Sequence, residues 1–285
     1  MCNDIFTIGK FTLHGYSLAI AMGFIVALGL AYLLSKKLNK NIDLVLDIAL
    51  ISFIGGFIGA KILYIIVAFD EVKENPKGAI FSGFVVYGGI IFASILIFAY
   101  SKYKKFSFLE YMDFIAPLVA VVQGFGRIGC FLAGCCYGAA TDSPLGVVFP
   151  EGAICPAGVK RWPTQLFSAV GDWIIAIAIL ATLFILQKKK LEEKYRGVGV
   201  VIYLFLYGVG RFLVEFLRSD PRGNVGSLST SQFISIFVVL AAIAFAVYIF
   251  MIPQTEIDKK KAEIVKASEK KDNKKEDLKK DDETK

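Results

Sequence analysis

The chain has 285 residues, of which 56% are hydrophobic, and its mean hydropathy is +0.61. This composition excludes an ordinary soluble globular domain, although the formal net charge is +7. Apolar runs longer than about 18 residues are typical of transmembrane helices. We therefore expect an all-α, polytopic membrane protein that is embedded in a lipid bilayer and has no nucleic-acid partner.

About seven transmembrane spans are predicted. A solvated backbone cannot cross hydrocarbon, so each apolar run should form a helix. The fourth run is the least regular, because Glu110, Asp113 and Pro117 interrupt its start. The predicted spans cover residues 15–35, 44–69, 79–100, 108–130, 165–187, 198–217 and 231–252.

Lysine and arginine follow the first, third and fifth spans and recur throughout the segment after Ile252. Because cytoplasmic loops are rich in these residues, seven spans would place the N-terminus outside and the C-terminus in the cytoplasm. Residues 1–252 are expected to form the transmembrane domain. Residues 253–285, which mix eleven lysines with ten acidic residues, are expected to be a disordered cytoplasmic tail.

Charged residues lie within or at the ends of the apolar runs, where an ionised side chain is costly unless it meets a partner, water or a polar ligand. These include Lys61, Arg127, Arg211 and Arg218. Arg211, Glu215 and Arg218 are spaced i, i+4, i+7, so one helix face would carry all three. An internal salt-bridge network is one interpretation. The other is a lipid-phosphate site near the outer leaflet, because one acid cannot neutralise three arginines and arginine suits phosphate. In that interpretation, the glycines beside Arg127 would let backbone amides approach the same anion.

Four cysteines lie at or beyond the outer end of the fourth span. Their spacing, C-x4-C-C-x18-C, is not a recognised zinc pattern, so no metal site is expected. Thiols packed against the helices are one interpretation, and a disulfide from Cys135 or Cys136 to Cys155 is another. A membrane thiol oxidoreductase that uses Cys135, Cys136 and Cys155 is accordingly an alternative function. A transporter that uses the embedded charges as a polar pathway is a second alternative, although such proteins usually carry an internal repeat and none is evident.

Short motifs occur along the spans in a characteristic order. They are LHGYSLAIAMGF, GFIGAKILY, SGFVVYGGI, DFIAPL, GRIGCFLAGCCYG, RWPTQLF, RFLVEFLRSD and TSQFISI. With these motifs, the chain from about residue 8 to 252 resembles the bacterial prolipoprotein diacylglyceryl transferases. The resemblance implies a multi-pass enzyme of the bacterial cytoplasmic (inner) membrane, with its active site toward the outer leaflet. Such an enzyme moves the diacylglyceryl group of phosphatidylglycerol to the cysteine thiol of a prolipoprotein signal peptide, forming a thioether and releasing glycerol phosphate.

The resemblance also implies which residues form the site. The phosphate-binding arginine of the family falls on Arg127, and its second essential arginine falls on Arg211. Together with the charge pattern, it gives Arg127, Arg211, Tyr87 and Glu215 as the expected catalytic residues, and Tyr16, Arg127, Gly129, Gly138, Gln165, Arg211 and Arg218 as the expected substrate-binding residues. No metal or organic cofactor is implied, because the phosphate already activates the bond that breaks.

The chain departs from the family pattern at the position of a proposed base. Many members carry histidine in the third-span motif, where this chain has Tyr87. A phenol with an unperturbed pKa of about 10 is a poorer base at neutral pH than imidazole at about 6.5. Alternative proton acceptors are the leaving phosphate, Glu215 and His14, while Lys61 stands where the family often has a basic residue. The other departures are Cys130, Cys135 and Ser168.

Overall fold

A computed structural model describes residues 4–8, 11–75, 78–79, 83–220 and 223–251 of the chain. Within these ranges, seven helices are long and apolar enough to cross a membrane. The predicted all-α, polytopic architecture with about seven spans is therefore confirmed. The predicted tail, residues 253–285, lies outside the described residues.

The helices follow one another along the chain with short strands at one end of the bundle. The strands form three antiparallel pairs. They are β1 (Asp4–Ile8) with β2 (Phe11–His14), β3 (Val147–Val148) with β4 (Lys160–Arg161), and β5 (Asn224–Val225) with β6 (Leu228–Ser229). The helices, α1 to α8, are Gly15–Lys37, Ile42–Val67, Phe69–Glu74, Val86–Lys104, Phe108–Ala133, Thr164–Lys188, Val198–Glu215 and Thr230–Met251.

All predicted span boundaries lie within four residues of the helix ends except the start of the third span. The third span was predicted to begin at residue 79, but α4 begins at Val86. Residues 83–85 are not helical, and the backbone N–H of Val85 instead donates to the carbonyl oxygen of Ala60 at 3.1 Å. The sixth span was predicted to reach residue 217, but α7 ends at Glu215. The chain then turns, and the carbonyl oxygen of Leu217 accepts a hydrogen bond from Ala139 at 2.8 Å.

The fourth span forms one continuous helix, α5, despite the residues that interrupt its apolar run. Glu110 forms ion pairs with Lys40 and with Arg196. The Nε atom of Arg196 lies 3.4 Å from the Oε2 atom of Glu110. The buried carboxylate of Asp113 accepts hydrogen bonds from the backbone N–H groups of Gly197 and Val200. Since the first N–H groups of a helix have no partner within it, Asp113 caps the start of α7 from a neighbouring helix.

Helix α5 is the centre of the bundle and packs against α1, α6 and α7, while α2 packs against α4 and α8 packs against α7. Glycines allow the close approach of α1 and α5. A Cβ atom on Gly23 would lie 2.7 Å from the Cβ atom of Phe125, and one on Gly129 would lie 3.0 Å from the Cδ2 atom of Tyr16. Large apolar side chains such as Ile25, Ile66 and Ile177 point outward, which suits a surface in contact with lipid.

Candidate functional site

Polar side chains recur on one face of α7 at intervals of four residues. Tyr203, Tyr207, Arg211 and Glu215 occupy these positions, and the rings of the two tyrosines are stacked with their centroids 5.7 Å apart. Residues four apart lie above one another on a helix, so the four form a single polar stripe. The stripe begins near the middle of α7 and ends at its last residue.

Helices α5 and α6 contribute polar residues that join this stripe through hydrogen bonds. The hydroxyl of Tyr203 donates to the Oε1 atom of Gln123 on α5 at 2.6 Å. The Nε2 atom of Gln123 in turn donates to the Oδ1 atom of Asp172 on α6 at 3.3 Å. Asp172 is buried, and its second oxygen has no hydrogen-bond partner among the described residues. The three central helices are thus connected by polar contacts inside an apolar bundle.

Arg211 is fixed in place but has unused hydrogen-bonding capacity. Its Nη2 atom lies 2.9 Å from the Oε2 atom of Glu215 and donates to the hydroxyl of Ser231 on α8 at 2.7 Å. Its Nη1 atom is buried and has no hydrogen-bond partner in the described part of the chain. The guanidinium group is therefore oriented on one side and available to an acceptor on the other.

Arg127 on α5 lies near Arg211, close enough for electrostatic repulsion between their charges. Within the described ranges, Arg127 forms no ion pair. The groups close enough to interact electrostatically with its charge include Tyr207, Cys130, Asp172 and Cys136. The two arginines that the family resemblance assigns to the site are thus brought together, with Tyr207 near both.

Arg218 is placed differently from the expectation of one helix face. It lies beyond the end of α7, and its guanidinium group forms two hydrogen bonds with Asp220, at 3.0 and 3.1 Å. The expectation that Glu215 orients two arginines is therefore wrong, and so is the count of one acid for three arginines. Burial raises the pKa of Asp220, while the charge of Arg218 opposes that shift. Arg127 is the arginine of the three that lacks an ion pair with a described residue.

Gly138 lies where three backbone segments meet, and other parts of the chain occupy both its N–H and its carbonyl group. Its N–H donates to the carbonyl oxygen of Trp162 at 3.1 Å, and its own carbonyl accepts from the Ser219 hydroxyl at 2.9 Å. A Cβ atom here would lie 2.5 Å from the Trp162 oxygen and 2.8 Å from the Leu217 oxygen. Gly129 lies inside α5, where its N–H belongs to the helical hydrogen-bond ladder. The expectation that an amide beside Arg127 reaches an anion is therefore wrong for Gly129, which provides close packing against Tyr16 instead.

The sulfur atoms of Cys130, Cys135 and Cys136 all lie within 4.8 Å of one another, and we call these three residues the thiol cluster. They are free cysteines, as is the buried Cys155. Hydrogen bonds from the other two thiols lower the pKa of Cys136, and the nearby charges of Arg218 and Arg127 act in the same direction. The pKa of Cys135 is raised by its hydrogen bonds to the other two cysteines and by burial, and burial raises that of Cys155.

Three further predicted site residues lie near the arginines or the thiol cluster. Tyr16 lies in the first turn of α1, near the thiol cluster and Arg127. Tyr87 lies in the first turn of α4, near Tyr207 and Arg211, and its side chain is exposed. Gln165 is 1% exposed and donates from Nε2 to the carbonyl oxygen of Cys135 at 2.7 Å. The Oε1 atom of Gln165 is buried and without a hydrogen-bond partner among the residues described.

The other basic candidates have contacts that do not involve the arginine pair. The Nζ atom of Lys61 donates to the carbonyl oxygens of Ala79 and Gly83 and lies 4.6 Å from the ring centroid of Phe84. Lys61 therefore attaches the segment before α4 to α2. His14 is the last residue of β2, directly before α1, and is exposed. Its role as a base stays a prediction.

Comparison with known proteins identifies the family. Residues 3–248 match the family model described as "Prolipoprotein diacylglyceryl transferase". The chain belongs to this family. The phosphatidylglycerol–prolipoprotein diacylglyceryl transferase of Clostridium tetani is 42% identical over 84% of this chain and 94% of its own length. Two Clostridium perfringens proteins carry the same name. The one numbered 2 is 42% identical over 81% of this chain and 89% of its own length. The one numbered 1 is 31% identical over 86% of this chain and 93% of its own length.

Four polar residues of this prolipoprotein diacylglyceryl transferase family member were missed by the sequence reasoning. They are Gln123, Asp172, Tyr203 and Tyr207. Asp172 is an acid inside an apolar run, and an embedded carboxylate is a signal of the same kind as an embedded arginine. The four-residue spacing of Tyr203 and Tyr207 with Arg211 was the signal that could have found the stripe on α7.

Proposed function

We propose that this chain transfers the diacylglyceryl group of phosphatidylglycerol to the cysteine thiol of a prolipoprotein signal peptide. Relatives with up to 42% identity over most of the chain carry the name of that activity. The structural observation that carries the proposal is the pair formed by Arg127 and Arg211. One of them lacks an ion pair among the described residues, and the other has a buried, unused donor.

A lipid phosphate suits this pair of guanidinium groups. Arginine forms paired hydrogen bonds with phosphate oxygens and keeps its charge when it is partly buried. Glu215 and Ser231 hold Arg211 from one side, which leaves Nη1 for the phosphate. Arg127 on the central helix α5 would hold the same phosphate from another side.

The reaction exchanges one bond for another at the glycerol carbon that bears the phosphate. The acceptor sulfur attacks that carbon, the new C–S bond forms, and the C–O bond to the phosphate breaks. The electron pair of the broken bond stays on oxygen, so glycerol phosphate leaves with one more negative charge than the diester had. Arg127 and Arg211 would stabilise that added charge as it develops. The thiol proton is released, and the leaving phosphate monoester, with a second pKa of about 6, is one group that can carry it.

The remaining predicted residues are proposed to position the substrates. Tyr87 lies near Arg211 and Tyr16 lies near Arg127, and both would contact the acceptor or the headgroup. Gln165 offers a buried acceptor oxygen. Gly129 and Gly138 would contribute by letting the chain segments around the site approach closely. Arg218, held by Asp220, would contribute positive charge beside the thiols.

We further propose that the site faces the outer leaflet of the bacterial cytoplasmic membrane. Lysines lie in the last turns of α1, α4 and α6, at the opposite ends of these helices from Tyr16, Tyr87 and Gln165. Because cytoplasmic ends are rich in lysine, these turns would be cytoplasmic. Residues 1–252 would then be the transmembrane domain, and residues 253–285 a cytoplasmic tail.

The proposal is tested in liposomes that contain phosphatidylglycerol and a synthetic prolipoprotein signal peptide. We expect the wild-type chain to add a diacylglyceryl mass to the peptide and to release glycerol phosphate. Arg127→Gln should lower the rate by about 10²–10³-fold, the loss typical of removing one charge-stabilising donor from an active site. Mass spectrometry of the peptide and an assay of glycerol phosphate measure both products.

Arg196→Gln is the matched control, because Arg196 pairs with Glu110 at the opposite end of the bundle. It should leave the rate within about twofold of the wild type, since exposed or partly exposed ion pairs contribute little. A folded wild-type chain that yields neither product would contradict the proposed function. An active Arg127→Gln variant would contradict the assignment of the phosphate site.

A further inference from the structure

The thiol cluster is built by buried contacts from a second helix. Thr164 and Gln165, at the start of α6, are each 1% exposed. The Thr164 hydroxyl donates to the carbonyl oxygen of Cys136 at 2.8 Å, and Gln165 Nε2 donates to that of Cys135 at 2.7 Å. The N–H of Cys135 also donates to the carbonyl of Cys130 at 3.1 Å. Hydrogen bonds from two buried side chains therefore fix the backbone that carries the three sulfurs.

The local backbone conformation brings the three sulfur atoms close together, although their spacing in the sequence does not predict it. Gly134 ends α5 in the left-handed region, with a φ of 72°, and Cys136 follows with a φ of 61°. These two residues fold the chain back over the last turn of α5, where Cys130 lies. The absence of a familiar zinc spacing therefore does not exclude a metal-binding geometry at these three cysteines.

The separation of the sulfurs suits a thiophilic ion. Zn²⁺ binds thiolate sulfur at about 2.3 Å, which places two sulfurs of a tetrahedral site about 3.8 Å apart. The three sulfurs lie within 4.8 Å of one another, so small side-chain movements suffice. Three protein ligands leave one position open, which is the arrangement of catalytic rather than structural zinc. The charges of Arg218 and Arg127 lie near Cys136 and would offset the negative charge of a tris-thiolate site.

We propose that Cys130, Cys135 and Cys136 hold a Zn²⁺ ion whose open position takes the thiol of the acceptor cysteine. This inference rests on the proposed function, because it identifies the group that activates the acceptor. The acceptor thiol binds as thiolate and its proton goes to solvent at the membrane surface. Its sulfur then attacks the glycerol carbon, the C–S bond forms, and the C–O bond breaks with its electron pair on the phosphate. The thioether product is a weaker ligand than thiolate and leaves the zinc unchanged in charge.

The site itself is tested with the metal alone. The full-length chain is purified in detergent, reduced, freed of metal and titrated with Co²⁺, which reports thiolate ligands through intense sulfur-to-metal absorption. We expect about one equivalent of Co²⁺ to bind and Zn²⁺ to displace it. Cys136→Ser and Cys130→Ser should each abolish or strongly weaken the absorption. Cys155→Ser should leave it unchanged, because Cys155 is not part of the cluster.

A thermal unfolding curve for each variant separates loss of metal from loss of folding. Absence of the absorption in the wild type, or its persistence in both cluster variants, would overturn the site. A signal that disappears only with Cys155→Ser would also overturn it.

The role in the reaction is tested by comparing zinc-loaded and metal-free chains. A free cysteine thiol with a pKa of about 8.5 is only about 3% thiolate at pH 7, so zinc can raise the reactive fraction about 30-fold. We expect removal of zinc to slow transfer by about 30-fold at pH 7 and to have little effect at pH 9. Equal rates with and without zinc at pH 7 would overturn the inference while the proposed function stands. If no product forms under either condition, the proposed function fails, and the Co²⁺ absorption still decides whether the metal site exists.

Discussion

At the scale of a single side chain, Gln165 combines a contact to the thiol cluster with a buried acceptor oxygen. Its amide nitrogen holds the carbonyl of Cys135, and its amide oxygen is buried with no hydrogen-bond partner in the described part of the chain. A buried polar atom without a partner is costly in a folded protein unless a ligand or solvent satisfies it. Gln165 is therefore both a support for the thiol cluster and a candidate contact for substrate.

Replacement of Gln165 by methionine should lower both stability and activity. The variant keeps the length of the side chain but leaves the partly buried carbonyl of Cys135 without its donor, at a cost of about 1–3 kcal/mol. Thermal unfolding in detergent and the diacylglyceryl transfer assay measure the two effects. Gln187→Met is the matched control, because Gln187 also donates from Nε2 to a carbonyl, that of Lys37, at 2.8 Å. That bond is exposed, so the control should change little, and equal losses in both variants would contradict the role given to Gln165.

Sequence reasoning identified some of the residues that meet at the site and misplaced others. Arg127 and Arg211 could be predicted to lie together, because each is an isolated charge at a similar depth in an apolar run. The ion pair of Arg218 could not be predicted from helical spacing, because α7 ends at Glu215 and Asp220 lies in the turn beyond it. The thiol cluster depends on the left-handed backbone of Gly134 and Cys136, which no periodic pattern reports.

At the scale of the helices, α2 and α4 pack closely through glycine. A Cβ atom on Gly59 of α2 would lie 2.5 Å from the carbonyl oxygen of Gly88 on α4. Gly55 and Gly59 are four residues apart on α2, the spacing that lets transmembrane helices approach each other closely. Tyr87 precedes Gly88 directly, so this contact also sets the position of Tyr87 relative to α2.

Gly59→Ala should destabilise the chain, because the new methyl group has no room unless the two helices move apart. Overpacking of this kind costs about 1–3 kcal/mol. Gly56→Ala is the control on the same helix, since a Cβ atom there would meet nothing within 4 Å. It should be neutral or stabilising by up to about 1 kcal/mol, because alanine is the better helix former. Thermal unfolding distinguishes the two variants, and a drop of similar size in both would argue against close packing at Gly59.

Helix boundaries were predictable where hydropathy changes abruptly. They were less predictable where an apolar segment packs against a neighbouring helix without being helical itself. The first residue of α1 matches the prediction, because an apolar run starts there. The start of α4 was predicted seven residues too early, since residues 79–85 are apolar enough to extend a span. Hydrogen bonds from Val85 to Ala60 and from Lys61 to Gly83 hold residues 83–85 out of the helix. Such contacts between distant residues are not visible in hydropathy.

At the scale of the whole molecule, polar and charged residues are divided between the two ends of the bundle. One end carries the arginine pair and the thiol cluster. The other carries the lysine-rich helix ends and the ion pairs of Glu110 with Lys40 and Arg196. An asymmetry of basic residues of this kind sets the orientation of a membrane protein.

Alkaline phosphatase, which is active only when exported, reports this orientation when it is fused to truncated chains. A fusion after Asp142, which follows four of the seven apolar helices, should be active. A fusion after Lys190, which follows five, should be inactive because the lysines at the end of α6 would hold it in the cytoplasm. The reverse pattern would place the arginine pair at the cytoplasmic face and contradict the proposed location.

The cap that Asp113 provides has a consequence for the order in which the chain enters the membrane. Asp113 lies on α5, whereas its hydrogen-bond donor Gly197 leaves the ribosome only after 84 further residues have been made. An aspartate opposes insertion of a span by up to about 2.5–3.5 kcal/mol, the value at the centre of the span, and Asp113 lies in the second turn of α5. We therefore expect the nascent α5 to remain at the translocation channel until α7 arrives, so that the central helices enter the bilayer together rather than one at a time.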